Sequence, residues 1–232
     1  MTDRSRQLPL ALRYPPDQRL ETYLDPPDGA LDQLRALATG DGEWLYLAGP
    51  PGAGKTHLAL AACAAAEAGG RRAAYLPLRS ALGRLREALD ALDEAALVAL
   101  DGLDAIAGNR DDELALFDFH NRARGAGAGL LYVAGSAPDA LPLLLPDLRS
   151  RLAQCARVVL SPPGEARRRA VLEERARRRG LALEPAALDW LLRRAGRDLA
   201  GLTALLDRLD RASLAAQRRL TVPFLREVLG DL

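Results

Sequence analysis

Over the first 160 positions, short apolar runs bounded by turn residues alternate with longer segments of helical periodicity. Residues 44–48, 73–76, 97–100, 130–134 and 158–160 read as strands. Their near-continuous apolarity is that of strands buried on both faces, and the helix-length segments between them predict a parallel sheet with helices packed on each side. After the breaker cluster SPPG at 161–164 the pattern changes. Residues 164–180, 185–195, 199–217 and 222–229 read as helices, the third with Leu202, Leu205, Leu206 and Leu209 at spacings of three and four. The first 28 residues hold Pro9, Pro15, Pro16, Pro26 and Pro27 and little periodicity, which predicts an extended arm outside the core. The chain thus divides into an arm (1–28), an α/β base (29–162) and a small all-helical unit (163–232).

Composition narrows the class. With 232 residues, 49% hydrophobic and 27% charged, the chain has the length for one domain plus an annex. Its 32 basic and 31 acidic residues leave a net +1, which argues against disorder and against a protein that coats polyanions. The balance is uneven: residues 1–160 carry 17 basic and 21 acidic side chains, and 161–232 carry 15 and 10. No apolar run reaches membrane-spanning length and the N-terminus lacks the pattern of a secretory signal, so a cytosolic protein with no membrane partner is expected. Cys63 and Cys155 are too few for a disulfide framework, and with His57 and His120 they show no zinc-ligand spacing. Of the 32 basic residues 31 are arginine, and Lys55 is the one lysine. A compact ammonium on a flexible stem differs from a guanidinium fork, so a lysine retained in such a chain points to chemistry that needs it.

Lys55 lies in GPPGAGKT at 49–56, which fills every fixed position of the phosphate-loop pattern G-x-x-x-x-G-K-T. A predicted strand leads in and an alanine-rich helical segment, 57–68, leads out. Glycines free the backbone N–H groups to wrap phosphates at a helix N-terminus. The candidate nucleotide contacts are Gly49, Pro50, Pro51, Gly52, Ala53, Gly54, Lys55, Thr56 and His57. Lys55 would neutralise the terminal phosphates of ADP or ATP, and Thr56 would hold Mg²⁺. Asp101 ends the third apolar strand, as does the acid that positions Mg²⁺ in many ATPases. Position 102, where many ATPases place a second acid to activate water, is Gly102; this predicts weak hydrolysis by the chain unaided. Asp104 stands two residues further on.

With GKTHLA at 54–59 and Asp101 on the third strand, the chain resembles AAA+ proteins of the DnaA initiator clade. LFDFHNR at 116–122, LPDLRSRL at 145–152 and LDRASLAAQRRLTVPFLREVL at 209–229 resemble the Hda family, regulatory inactivators of DnaA. The resemblance implies an AAA+ P-loop NTPase base with a five-stranded parallel sheet, a helical lid and no initiator-type DNA-binding domain. It also assigns roles to residues. Arg151 matches the arginine finger, which acts in trans on the nucleotide of a neighbouring subunit; two solvated arginines, Arg149 and Arg151, are the ordinary alternative. Ser136, after the fourth strand, falls at the polar sensor near the γ-phosphate, though a turn-forming serine before Pro138 would look the same. Phe117 and Asn121, four apart on one helix face, match the partner contact; a core phenylalanine and a surface asparagine are the alternative. The lid arginine that the family offers to the nucleotide is replaced by Ala200, with Arg197 nearly a turn earlier.

In the arm, QLPLAL at 7–12 resembles the peptide by which bacterial proteins bind the replicative sliding clamp, with Gln7 as hydrogen-bonding anchor and Leu8, Leu10 and Leu12 in the contact. The implied function is a nucleotide-bound adaptor on the DNA-loaded clamp that stimulates ATP hydrolysis by DnaA and so represses replication initiation. DNA would be reached mainly through the clamp, which makes the protein nucleoid-associated, and self-association is a further partner state. A helicase-loader or transposition-type ATPase that binds single-stranded DNA shares the GKTHLA signature and is the competing expectation. Direct DNA binding by arginines 167–169 and 177–179 is disfavoured by the interleaved Glu165, Glu173 and Glu174.

Overall fold

The computed structural model describes residues 18–194 and 199–230. The clamp-type peptide at 7–12 and Arg197 lie outside the described residues. The base contains strands β1 (Leu45–Ala48), β2 (Ala73–Pro77), β3 (Leu97–Asp101), β4 (Gly129–Ala134) and β5 (Ala156–Val159). Its helices are α1 (Ala30–Thr39), α2 (Lys55–Ala68), α3 (Leu85–Asp90), α4 (Arg110–Ala126) and α5 (Pro146–Ala153). The lid is built from α6 (Glu165–Arg178), α7 (Pro185–Arg194), α8 (Leu199–Ala216) and α9 (Val222–Leu229).

All five strands pair in parallel in the order β2-β3-β4-β1-β5, as the alternation of runs and helices predicts. Successive side chains of a strand point to opposite faces, so each central strand feeds two cores. Tyr46, Val98, Leu100, Leu130 and Tyr132 meet α3, α4 and α5 on one side through Leu85, Leu89, Leu116, Phe119 and Leu148. Leu45, Leu47, Leu97, Ala99, Leu131 and Val133 meet α1 and α2 on the other through Leu34, Leu37, Leu58 and Ala62. β5 begins two residues before its apolar run and Val159 is exposed, because this strand is an edge and one of its faces is incompletely covered. The lid has its own core of Leu172, Leu188, Trp190, Leu206, Leu209 and Phe224.

The arm departs from expectation at its C-terminal end. Leu20–Thr22 form a 3-10 turn, and Leu20 and Tyr23 are buried in the core on the α1–α2 side. Two apolar side chains spaced by three among prolines give no periodic signal, yet they suffice to dock this stretch.

Candidate functional site

The register of β1, β3 and β4 aligns Ala48 with Ala134 and Asp101 with Val133, so the segments that follow these strands emerge together at the C-terminal edge of the sheet. This is where an open parallel sheet binds ligands. α2 begins at Lys55, two residues before its apolar pattern, because Lys55 and Thr56 add nothing to the apolar stripe but supply the first turn. Gly54 caps it with φ +94°, and a Cβ there would lie 2.6 Å from Cε2 of Tyr23, so both backbone conformation and space require glycine. The first-turn N–H groups of a helix have no intrahelical acceptor and point toward its N-terminus, here the loop.

Lys55 donates to the carbonyl oxygens of Gly49 at 2.6 Å and Pro50 at 2.9 Å. Burial lowers its pKa, while the carboxylates of Asp101 and Asp104 push it back up. The two residues expected at the metal are in contact: Thr56 Oγ1 donates to Asp101 Oδ2 at 2.6 Å. The hydroxyl of Tyr75 donates to the same oxygen at 2.8 Å. Burial and the charge of Asp101 raise the Tyr75 pKa, which keeps that phenol a donor. Thr56 and Asp101 offer hard oxygens, the donor type Mg²⁺ takes alongside phosphate and water. Among the described residues no group of three or more His, Cys, Asp or Glu could hold a metal by itself. The donor set therefore fits a cation bound together with phosphate.

A cavity of about 430 Å³ opens beside the loop. It is lined by Gly52 to His57, by Gln18 and Thr22 to Leu24 from the arm, and by Arg167, Val171 and Glu174 of the lid. Its size suits a small ligand with an apolar body. His57 lines it as well, and its Nε2 lies 3.0 Å from the carbonyl oxygen of Arg19 and 3.1 Å from Thr22 Oγ1, so His57 also fastens the arm. Tyr23 donates to the carbonyl of Ala53 at 2.8 Å.

Ser136 follows β4, and its carbonyl accepts from Tyr46 at 2.8 Å, while Asp104 Oδ2 accepts from the N–H of Gly135 at 2.7 Å. Gly102 adopts φ +90°, a conformation L side chains rarely take. The missing second acid is thus built into the backbone path as well as the residue type.

Arg151 does not line the cavity. It sits in the last turn of α5, half-exposed, and among the described residues its guanidinium has no carboxylate or carbonyl partner. Arg149, two residues earlier and so on a different side of the helix, donates to the carbonyl of Leu143 at 2.6 Å and is a structural anchor. On α4, Phe117 packs partly into the base core and Asn121 is exposed. The intervening His120 is buried, and burial lowers its pKa to about 4 with help from the charges of Arg124 and Arg151. That electrostatic coupling places the Arg151 charge near buried His120 of α4.

No local sequence pattern places Tyr23, Tyr75 or Arg167 at this site, and the sequence singles out Arg167 only as one of the lid arginines weighed for direct DNA contact. Tyr75 pairs with Ala99 and so shares a sheet face with Asp101, a relation visible only once the β2–β3 register is known. Ala200 lies in the first turn of α8.

Residues 165–229 match the family model "Hda, lid domain". Residues 45–153 match "ATPase family associated with various cellular activities". The chain is an AAA+ protein with an Hda-type lid. The fold agrees. Domain III of the Thermotoga maritima replication initiation protein DnaA superposes with a TM-score of 0.76 at 18% identity, over 94% of this chain and 98% of that one. AMPPCP-bound DnaA from Aquifex aeolicus gives 0.67 at 20% identity, over 84% of this chain and 65% of that one. The Thermotoga maritima RuvB Holliday junction branch migration motor gives 0.60 at 18%, over 85% and 65%. The five-stranded base followed by a helical lid is therefore the AAA+ arrangement. No helix among the described residues is long and apolar enough to cross a membrane.

Proposed function

We propose that this AAA+ protein binds ADP or ATP with Mg²⁺ at residues 49–57 and Asp101, docks through residues 7–12 on the DNA-loaded sliding clamp, and presents Arg151 to ATP held by DnaA. The nucleotide hydrolysed belongs to the partner, and hydrolysis switches off initiation. The chain's own nucleotide serves chiefly as a brace, in keeping with Gly102. The observation that carries the reading is Arg151: half-exposed, without a partner among the described residues, and away from the chain's own phosphate loop, whereas Arg149 beside it is tied down. A guanidinium delivered in trans meets charge that develops on the γ-phosphate only in the transition state, and is worth about 10³- to 10⁵-fold in rate. An Hda-type lid and DnaA-like fold neighbours support the same partner.

The test is phosphate release from ATP-loaded DnaA with clamp on DNA. Wild-type protein stimulates it, and Arg151→Ala loses about 10³-fold or more of the stimulation. Equal stimulation by both removes Arg151 from the mechanism, and stimulation by neither favours the loader-type reading. Clamp association that survives Gln7→Ala with Leu10→Ala removes the recruitment step.

A further inference from the structure

Arg167 stands in the first turn of α6 and reaches into the cavity beside the phosphate loop. Its Cζ lies 4.6 Å from the centroid of the Tyr23 ring. The hydroxyl of that ring donates to the carbonyl of Ala53, so Tyr23 stands against the loop and carries the guanidinium on its face. The other arginines of this helix whose partners are defined are spent on carboxylates: Arg169 on Asp189, and Arg177 and Arg178 on Glu174. Among the described residues no carboxylate pairs with Arg167, and its Nε is buried without a hydrogen-bond partner.

A buried N–H left without an acceptor is costly, and the cost is relieved when a ligand brings one. The cavity indicates which acceptor. Its lining holds Lys55, Arg167, Arg175 and Arg178 against one acid, Glu174, which is already engaged by two arginines. Such a field favours a polyanion over a neutral or cationic ligand. The planar fork of a guanidinium is suited to two oxygens of one phosphate. Val171, one turn along the same helix face, and Leu24 provide the apolar part of the wall further from the loop.

We propose that Arg167 is a lid-borne contact to the phosphates of the nucleotide held by residues 49–56, with Tyr23 as the platform that aims it. This deepens the nucleotide reading above and rests on it. The lid then senses the nucleotide from its first helix, whereas position 200, in the first turn of α8, is an alanine. The aromatic platform limits the rotamer freedom that a free arginine would lose on binding.

The experiment measures dissociation constants for ADP and for adenosine, by competition against a fluorescent ADP analogue, in wild-type protein and in Arg167→Gln, Arg167→Lys and Lys55→Ala. Gln keeps most of the stem that packs on Tyr23, and Lys keeps the charge, so a fold defect in one variant leaves the other informative. Arg167→Gln is expected to weaken ADP by about 10- to 100-fold, the range for losing charge-assisted hydrogen bonds, and Arg167→Lys to lose less. Adenosine, which has no phosphate, should change less than about twofold. Equal losses for ADP and adenosine would make Arg167 a wall or strut and overturn the proposal. Unchanged ADP affinity in both Arg167 variants, with loss in Lys55→Ala, overturns the proposal alone. A wild-type protein that binds no ADP, or a Lys55→Ala protein that binds it normally, removes the nucleotide reading and this contact with it.

Discussion

His120 is a single side chain whose burial has a measurable consequence at the scale of the residue. It is fully buried, its Nδ1 lies 2.9 Å from the Tyr132 hydroxyl, and Trp44 meets it edge-on with ring centroids 4.7 Å apart. Desolvation, then Arg124 and Arg151, move its pKa from 6.5 down to about 4. Below pH 6.5 the unfolded chain binds a proton that the folded chain refuses until about pH 4, so the stability from neutral His120 is complete above 6.5 and is lost as pH falls. By linkage the loss is about 2 kcal/mol at pH 5 and about 3 kcal/mol by pH 4. Urea unfolding of wild type and His120→Gln at pH 7.5 and 5 checks this; parallel profiles for the two proteins would remove His120 as the source. The reasons some residues were legible in the sequence and others were not are also clear at this scale. Lys55 and Thr56 could be read because loop chemistry dictates residue type at fixed spacing, with the helix N-terminus built from consecutive residues. Tyr75 and Arg167 reach the site through strand register and lid placement, which no local pattern encodes.

Among the elements, α5 owes its direction to a carboxylate on α4. Asn109 caps α4 by accepting from the N–H groups of Asp111 and Asp112, and one turn on, the fully buried Glu113 accepts from Gly108, Leu144 and Leu145 at 2.7 to 3.0 Å. Those last two N–H groups belong to the loop that turns into α5, whose first residue is Pro146 and which therefore cannot be held by an N–H there. Glu113→Ala leaves buried donors unmatched and is expected to cost about 2–4 kcal/mol in urea unfolding. On the role proposed for Arg151, which α5 carries, the variant should also stimulate DnaA less at temperatures where it remains folded. If stability falls but stimulation does not, the aim of Arg151 is set elsewhere. The helices and strands themselves were largely legible, since their apolar periods agree with the two faces of the sheet. The elements misjudged at their ends, α2 and β5, fail where function or an edge overrides the apolar period.

At the scale of the whole molecule, no apolar cluster among the described residues spans base and lid. The base keeps its two cores on either side of the sheet and the lid keeps its own, so the units meet mainly around the cavity, where Arg167 covers Tyr23. A unit the size of the lid buries only about 60% of its unfolded surface and is marginal alone. Its surface is stapled by Arg179 to Asp207 and Asp210, partly exposed pairs that add little. The lid is therefore expected to unfold at lower urea than the base in nucleotide-free protein. The two tryptophans report the units separately, Trp44 in the base and Trp190 buried in the lid core. In Trp44→Phe protein the fluorescence midpoint should lie below that of Trp190→Phe. A ligand that binds only the closed cavity adds about 2.7 kcal/mol at one hundred times its dissociation constant, and it links both units. Saturating ADP should thus raise the Trp190 midpoint more than the Trp44 midpoint and bring them together, with no shift in a Lys55→Ala background. Coincident midpoints without nucleotide would show that the base holds the lid through direct contacts, and the brace assigned to the nucleotide would then have nothing to do.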